Sequence, residues 1–302
     1  MSSLTTHLGS LLLKNPVMTA SGTFGYGQEL SSWVDVERLG AVVCKTITRR
    51  PRSGNAPPRT CETASGMLNA IGLQNVGLER FISEKLPYLT QFKVPVIVNI
   101  AGESIDDFAF LAQALSEMEG VAALELNISC PNVAHGLDFA KDPQLAEAVV
   151  ARVRLTTKLP LIAKLSPNVT DITAIARAAE AGGADALSLV NTFVGMSVDI
   201  RTRRPRLSNI TGGLSGPAIK PLALCAVYRC AQAVKIPIIG VGGIGNANDA
   251  LEFLIAGATA VQVGTATFVQ PAAALDVIDG IEGYLNANKI ASVQELSGSL
   301  VI

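Results

Sequence analysis

Val121-Ala-Ala-Leu-Glu-Leu-Asn-Ile128, followed by Ser129-Cys130-Pro131-Asn132, is the most informative segment of the chain. Residues 121–128 are apolar apart from Glu125 and Asn127, the pattern of a strand buried on both faces, and Pro131 blocks its regular continuation. A thiol, Cys130, and two amides, Asn127 and Asn132, therefore stand at a strand's carboxyl end. In a barrel or open sheet of parallel strands, that is where chemistry is done. A lone cysteine in apolar surroundings is more often inert packing, but the flanking amides and the Pro-Asn turn favour function.

Seven more runs of this kind recur, at 16–21, 41–46, 94–100, 159–165, 184–191, 236–242 and 260–264. Segments with helical spacing lie between most of them, at 105–118, 142–157, 172–181, 219–234 and 247–256. Gly-Ala or Pro punctuation precedes the strands at Gly40, Gly183, Gly257, Pro95, Pro160 and Pro237. Eight buried strands alternating with helices predict an α/β chain closed into a (β/α)8 barrel, with residues 1–302 as a single domain and a short N-terminal hairpin. An open doubly wound sheet is the alternative, but no dinucleotide fingerprint follows the first strand. Two long connections, 49–76 and 192–217, leave the carboxyl ends of the second and sixth strands, so both should lie over the barrel mouth.

Bulk properties narrow the partners. A formal charge of -1 gives no general attraction to nucleic acid or anionic lipid, and no apolar run is long enough to span a bilayer. Five cysteines without a CxxC pair suit the reduced thiols of a cytoplasmic protein. The two histidines, His7 and His135, are far apart, which disfavours a histidine metal site. The basic clusters Arg49-Arg-Pro-Arg52 and Arg201-Thr-Arg-Arg-Pro-Arg206 read as solvated loops.

The strand ends carry polar residues that packing does not require. In order they are Thr19-Ala-Ser-Gly22, Lys45-Thr46, Asn99, Asn127 with Cys130, Lys164, Asn191-Thr192, Gly242-Gly243 and Gly264-Thr265. A lysine on an apolar strand is costly to bury without an anion or hydrogen-bonding partners, so Lys45 and Lys164 imply an electron-rich ligand. The glycines after strands seven and eight occupy a common phosphate position in barrels, and residues 246–249 can open a helix whose N-terminus faces the anion. A phosphorylated, planar ligand that binds amides is implied, and flavin mononucleotide (FMN) fits. An aldolase-like barrel with a Schiff base on Lys164 or Lys45 also fits these residues. So does a binding barrel without catalysis, although it leaves Cys130 unexplained.

Asn127-Ile-Ser-Cys-Pro-Asn132, Asn69-Ala-Ile-Gly-Leu-Gln-Asn75, Cys44-Lys-Thr46, Val190-Asn-Thr192 and Gly212-Gly-Leu-Ser-Gly-Pro217 together resemble the class 1 dihydroorotate dehydrogenases, over essentially the whole chain and in the right order. The resemblance implies a TIM barrel that oxidises (S)-dihydroorotate to orotate in pyrimidine (UMP) biosynthesis, a base taking the C5 proton while a hydride passes from C6 to FMN. Cys130 matches the base. Lys45, Asn69, Ala70, Ile71, Gly72, Leu73, Asn127, Asn132, Asn191 and Thr192 match substrate positions. Ser21, Lys45, Thr46, Asn99, Asn127, Lys164, Val190, Gly216, Gly242, Gly243, Gly264 and Thr265 match flavin positions. No metal site is implied in this chain, and residues 131–142, with His135 and Gly136, match a lid.

The loop after strand six resembles the NAD-linked subclass B. There a second subunit carries FAD and a [2Fe-2S] cluster, and a homodimer joins it in a heterotetramer. Quinone-linked members have an extra N-terminal membrane-associating segment that is not seen here. A fumarate-linked homodimer is the alternative within the family.

Overall fold

The computed structural model describes residues 2–129, 139 and 141–302. All eight predicted barrel strands form, with ends trimmed by one to a few residues: β3 (Val17–Thr19), β4 (Val42–Val43), β7 (Val96–Ile100), β8 (Val121–Leu126), β9 (Leu161–Leu165), β10 (Ala186–Leu189), β15 (Ile238–Val241) and β16 (Ala260–Val263). Their order is β3-β16-β15-β10-β9-β8-β7-β4, parallel throughout. A parallel bridge from Met18 to Ala41 joins the two end strands.

At that seam a side chain replaces part of the ladder. The Thr19 hydroxyl accepts from Val43 N–H at 2.9 Å and donates to the Val43 carbonyl at 3.2 Å. β4 is the shortest barrel strand because the chain turns away after Cys44, where Lys45 N–H donates to Gly25 O at 2.8 Å.

Alternation along each strand sorts side chains into two sets. Outward residues such as Val96, Val98, Leu124, Leu161 and Leu187 share one core with Phe108, Leu111, Val149, Val150 and Ile175 of the surrounding helices. Those helices include α3 (Ile105–Ser116), α4 (Pro143–Arg154), α5 (Ile172–Ala181), α6 (Lys220–Ala231) and α7 (Ala247–Ile255). Ser104, Asp142, Asp171 and Asn246 cap α3, α4, α5 and α7, each side chain accepting from amides of the first turn. Inward residues Met18, Ala41, Ile97, Ala123, Ile162, Ala186, Ile239 and Ala260 form a second core. Leu8 and Leu13 join it from the predicted N-terminal hairpin, β1 (Thr6–Leu8) and β2 (Leu11–Leu13), which therefore plugs the barrel floor.

The two long connections are more ordered than loops. Residues 60–69 form β5 (Thr60–Thr63) and β6 (Gly66–Asn69), and 193–215 include β11 (Phe193–Met196) and β14 (Thr211–Ser215), with β12 (Val198–Asp199) and β13 (Arg204–Pro205) between. β11-β14-β6-β5 is one antiparallel sheet, so the connections pair with each other. The Arg201–Arg206 cluster sits on the exposed β12–β13 hairpin. Further helices complete the chain: α1 (Gly77–Arg80) and α2 (Leu86–Leu89) with a π turn between them, α8 (Ala266–Val269) and α9 (Ala273–Ala287).

Candidate active site

A cavity of about 1130 Å³ opens at the carboxyl ends of the barrel strands, beneath the antiparallel sheet. Every described residue of the predicted site lines it except Asn99, and Cys130 and Asn132 lie outside the described residues. Asn99 is fully buried below the wall, where its amide donates to Glu125 Oε1 at 2.6 Å. Its strand ends one residue later, so the side chain belongs to the barrel's middle layer rather than to its rim.

The amides of the site are pinned before any ligand arrives. The Ser129 hydroxyl donates to Asn127 Oδ1 at 2.7 Å and accepts from Asn191 Nδ2 at 2.6 Å. Asn191 Oδ1 accepts from Thr192 N–H at 2.8 Å. Asn168 spans the next turn, donating to Thr192 O at 3.0 Å and accepting from Val194 N–H at 2.9 Å. Across the mouth, Asn75 donates to Leu73 O and Thr48 Oγ1 and accepts from Gly77 and Thr48 amides. It thereby holds Leu73 at φ 55, a left-handed backbone that a branched residue adopts only when its surroundings fix it.

Two lysines at the strand ends, Lys45 and Lys164, bring positive charge into the cavity, whose lining also includes Lys141 and Glu62. Lys164 Nζ lies 3.4 Å from Ser21 Oγ and 3.8 Å from Glu125 Oε1. Lys45 is pushed below its ordinary pKa, chiefly by burial and then by repulsion from Lys164 and Arg59. An anionic ligand would relieve that penalty. The neighbouring thiol of Cys44 is fully buried and pushed up to about 12, which makes it a poor base near neutrality.

The glycine cradle is sterically specified. At Gly243, φ is +78 and a Cβ would stand 2.8 Å from Lys220 N and 2.9 Å from Gly216 O. No side chain has room at that position, and glycine is the residue that reaches this backbone conformation without strain. The helix opened by residues 246–249 forms as predicted, but its first turn is committed internally. Asp249 accepts from the Gly245 and Asn246 amides while Asn246 accepts from that of Asp249. Three amides at that helix end are thus taken up within the cap.

Glu125, Gln262, Ser129 and Asn168 carry much of this geometry, yet sequence reasoning assigns them no role. Glu125 and Gln262 do interrupt apolar strands, which was a usable signal. Ser129 and Asn168 had none, because hydroxyls and amides in turns are commonplace. Among the described residues, no group of three or more His, Cys, Asp or Glu side chains is placed to hold a metal.

The size of the cavity, the side-chain-free cradle and the row of amide donors and acceptors facing two lysines fit FMN. An unpartnered Asn99 Oδ1 buried beneath them agrees with that fit. Fold and site together define a barrel oxidoreductase of the flavin-binding kind. The family model described as "Dihydroorotate dehydrogenase" matches residues 3–285, and the chain belongs to that family.

Relatives bear the same name with a qualifier. "Dihydroorotate dehydrogenase B (NAD(+)), catalytic subunit" of Geotalea uraniireducens is 55% identical over 299 residues, covering 99% of this chain and 98% of the relative. The protein so named in Geotalea daltonii is 56% identical over 300 residues, with the same coverage. A crystal structure of DHODH from Eimeria tenella in complex with ferulenol superposes with a TM-score of 0.83 at 23% identity, covering 98% of this chain and 88% of that one. That last likeness establishes the fold.

Proposed function

We propose that this chain oxidises dihydroorotate to orotate in pyrimidine biosynthesis as the catalytic subunit of an NAD-linked enzyme, residues 1–302 acting as one FMN-binding barrel. The observation that carries the reading is convergence. Residues of the strand ends, singled out by their chemistry, and residues of both long connections, singled out by the resemblance, line one cavity, in a chain 55–56% identical to proteins named for this activity.

Bound FMN supplies the acceptor for the hydride leaving substrate C6. The chain's own groups do the rest. Gly242, Gly243, Gly264 and Thr265 would hold the phosphate end, while Ser21, Thr46, Val190, Gly216 and Lys164 would frame the ring, with Asn99 beneath them. Lys45 meets the substrate carboxylate, whose negative charge offsets the cost of burying its ammonium. Asn69, Asn127, Asn132, Asn191 and Thr192 complement the pyrimidine's imide edge, and residues 70–73 close over it. Cys130 takes the C5 proton as a thiolate, a role open to a free thiol, whose ordinary pKa of ~8.5 lies within reach of neutrality.

A partner subunit bearing FAD and a [2Fe-2S] cluster would carry the electrons onward, docked to a homodimer of this chain in a cytoplasmic heterotetramer. An exposed apolar strip formed by Val194, Met196, Val198 and Ile200 supports such contacts. Among the described residues no helix is long and apolar enough to cross a membrane.

Cys130→Ala should keep the yellow flavin and slow its single-turnover reduction by dihydroorotate by about a hundredfold or more. An unchanged rate would remove Cys130 from the mechanism. For the subclass, native co-purification should bring down a second flavin and iron-sulfur absorbance, and a homodimer reducing fumarate would overturn it.

A further inference from the structure

One layer below the cavity wall, the inward positions that barrels commonly fill with branched aliphatic residues are polar. Asn99, Glu125, Lys164, Ser188 and Gln262 occupy them, none more than 6% exposed. Glu125, at 0%, is their hub. Its Oε1 accepts from Asn99 Nδ2 at 2.6 Å, its Oε2 accepts from Gln262 Nε2 at 2.7 Å, and Lys164 Nζ stands 3.8 Å from Oε1.

A carboxylate only accepts, so both amides must turn their NH2 groups toward it. Their oxygens face away, and Asn99 Oδ1 and Gln262 Oε1 are buried without a partner among the described residues, as is Ser188 Oγ. Stability does not call for this arrangement. Apolar residues of the same volume are often as stable as a buried ion pair, and orphaned acceptors add a further cost. Lys164 and Ser21 line the cavity whereas Glu125 does not, so the carboxylate reaches a ligand only through its partners.

We propose that Glu125 is a positioning residue that sets the reduction potential of the flavin, by opposing the charge of Lys164 and fixing the amide of Asn99. This rests on the FMN reading above. Reduction adds negative charge to the flavin, which a cation beneath the site favours and an anion beside that cation opposes. Glu125 thus holds the potential below what Lys164 alone would give. Its removal should make the flavin a stronger oxidant and a better acceptor for sulfite, whose adduct with oxidised flavin is anionic.

The test uses the full chain loaded with FMN and measures its reduction potential and sulfite dissociation constant. Glu125→Gln keeps the shape and removes the charge. It should raise the potential and tighten sulfite binding by about tenfold or more, the size expected of one charge several ångströms away in a protein's effective dielectric. The double variant Glu125→Gln/Lys164→Met removes both charges together, a change that buried pairs commonly tolerate. Measured against Lys164→Met alone, it should show a higher potential and tighter sulfite binding.

If Glu125→Gln matches the parent, or the double variant binds sulfite no more tightly than Lys164→Met, Glu125 does not set the potential of the flavin. The double variant, compared with Lys164→Met, decides the matter if Glu125→Gln fails to hold FMN. A parent chain that takes up no FMN would sink the underlying reading as well, which separates that failure from failure of this inference.

Discussion

Ser129→Ala removes one buried hydroxyl and nothing else, yet it should weaken substrate recognition. That hydroxyl ties Asn127 to Asn191 through contacts of 2.7 and 2.6 Å. Without it, Asn191 Nδ2 keeps only a 3.4 Å approach to Asn127 Oδ1, too long to fix either amide. Two hydrogen bonds at about 0.5–1.5 kcal/mol each, with an amide left half-satisfied, amount to about 1–3 kcal/mol. Both amides line the cavity, so much of that loss should fall on ligand binding. At 1.4 kcal/mol per factor of ten, orotate affinity should drop by about five- to a hundredfold, with FMN retained and the Michaelis constant for dihydroorotate rising more than kcat falls. Flavin difference spectra on titration with orotate give the affinity, and a thermal melt gives the stability. Orotate binding within twofold of the parent, alongside a lowered melting temperature, would show that Ser129 merely packs and that the pinned amides do not meet the substrate.

Other perturbations test the cradle and the charge. Gly243→Ala forces a Cβ against backbone atoms at a left-handed φ, a combination of strain and overpacking worth about 2–4 kcal/mol. The melting temperature should fall by several degrees and FMN affinity by about tenfold or more, and fluorescence titration showing parental FMN affinity would refute the cradle. For Lys45 the folded pKa lies below the ordinary 10.5 because burial, then Lys164 and Arg59, oppose its charge. Between those two values the unfolded chain binds more protons than the folded one, so this group's penalty is full at lower pH and fades as pH rises through that window. Orotate should reverse the shift, so binding takes up a proton there and weakens as pH climbs. Calorimetry in buffers of different ionisation enthalpy should detect the uptake in the parent and lose it in Lys45→Met, and equal uptake in both would exclude Lys45 as the anion's partner.

The barrel was legible because each strand is an apolar run long enough to be buried on both faces, and because Pro or Gly marks where most of them begin. The segment 172–181 coincides with the observed helix α5, its start fixed by the Asp171 cap. The antiparallel sheet over the mouth was not legible. Its strands are short, and β14 is rich in glycine. Their register depends on a partner far away in the chain, as where Asn69 pairs with Gly213. No local period announces such pairing.

The site divided along the same line. Lys45, Lys164 and the paired glycines stood out because their chemistry is costly or unusual where it occurs. Ser129 and Asn168 are recognisable only once the fold brings their neighbours to hydrogen-bonding distance. The capping box at residues 246–249 follows from a related pattern, since the residues that begin a helix also bind some of its first amides.

The interior of the barrel shows why Glu125 and Gln262 were harder to place than the lysines. Following one phase up each strand leads from Ile97 to Asn99, from Ala123 through Glu125 to Asn127, from Ile162 to Lys164, from Ala186 through Ser188 to Val190, and from Ala260 through Gln262 to Gly264. Aliphatic residues fill the floor with the hairpin's leucines, an interlocked polar layer follows, and the open mouth comes last. In sequence each polar residue is a single exception within an apolar strand, and a single exception has many explanations. In three dimensions the exceptions fall at one height, with hydrogen bonds and an ion pair linking four of them. Folding energy comes from the outward faces and the floor, where burying one large aliphatic or aromatic side chain is worth about 1.5–3 kcal/mol. The middle layer contributes little of that, which leaves its charges and amide orientations free to be set by what binds above them.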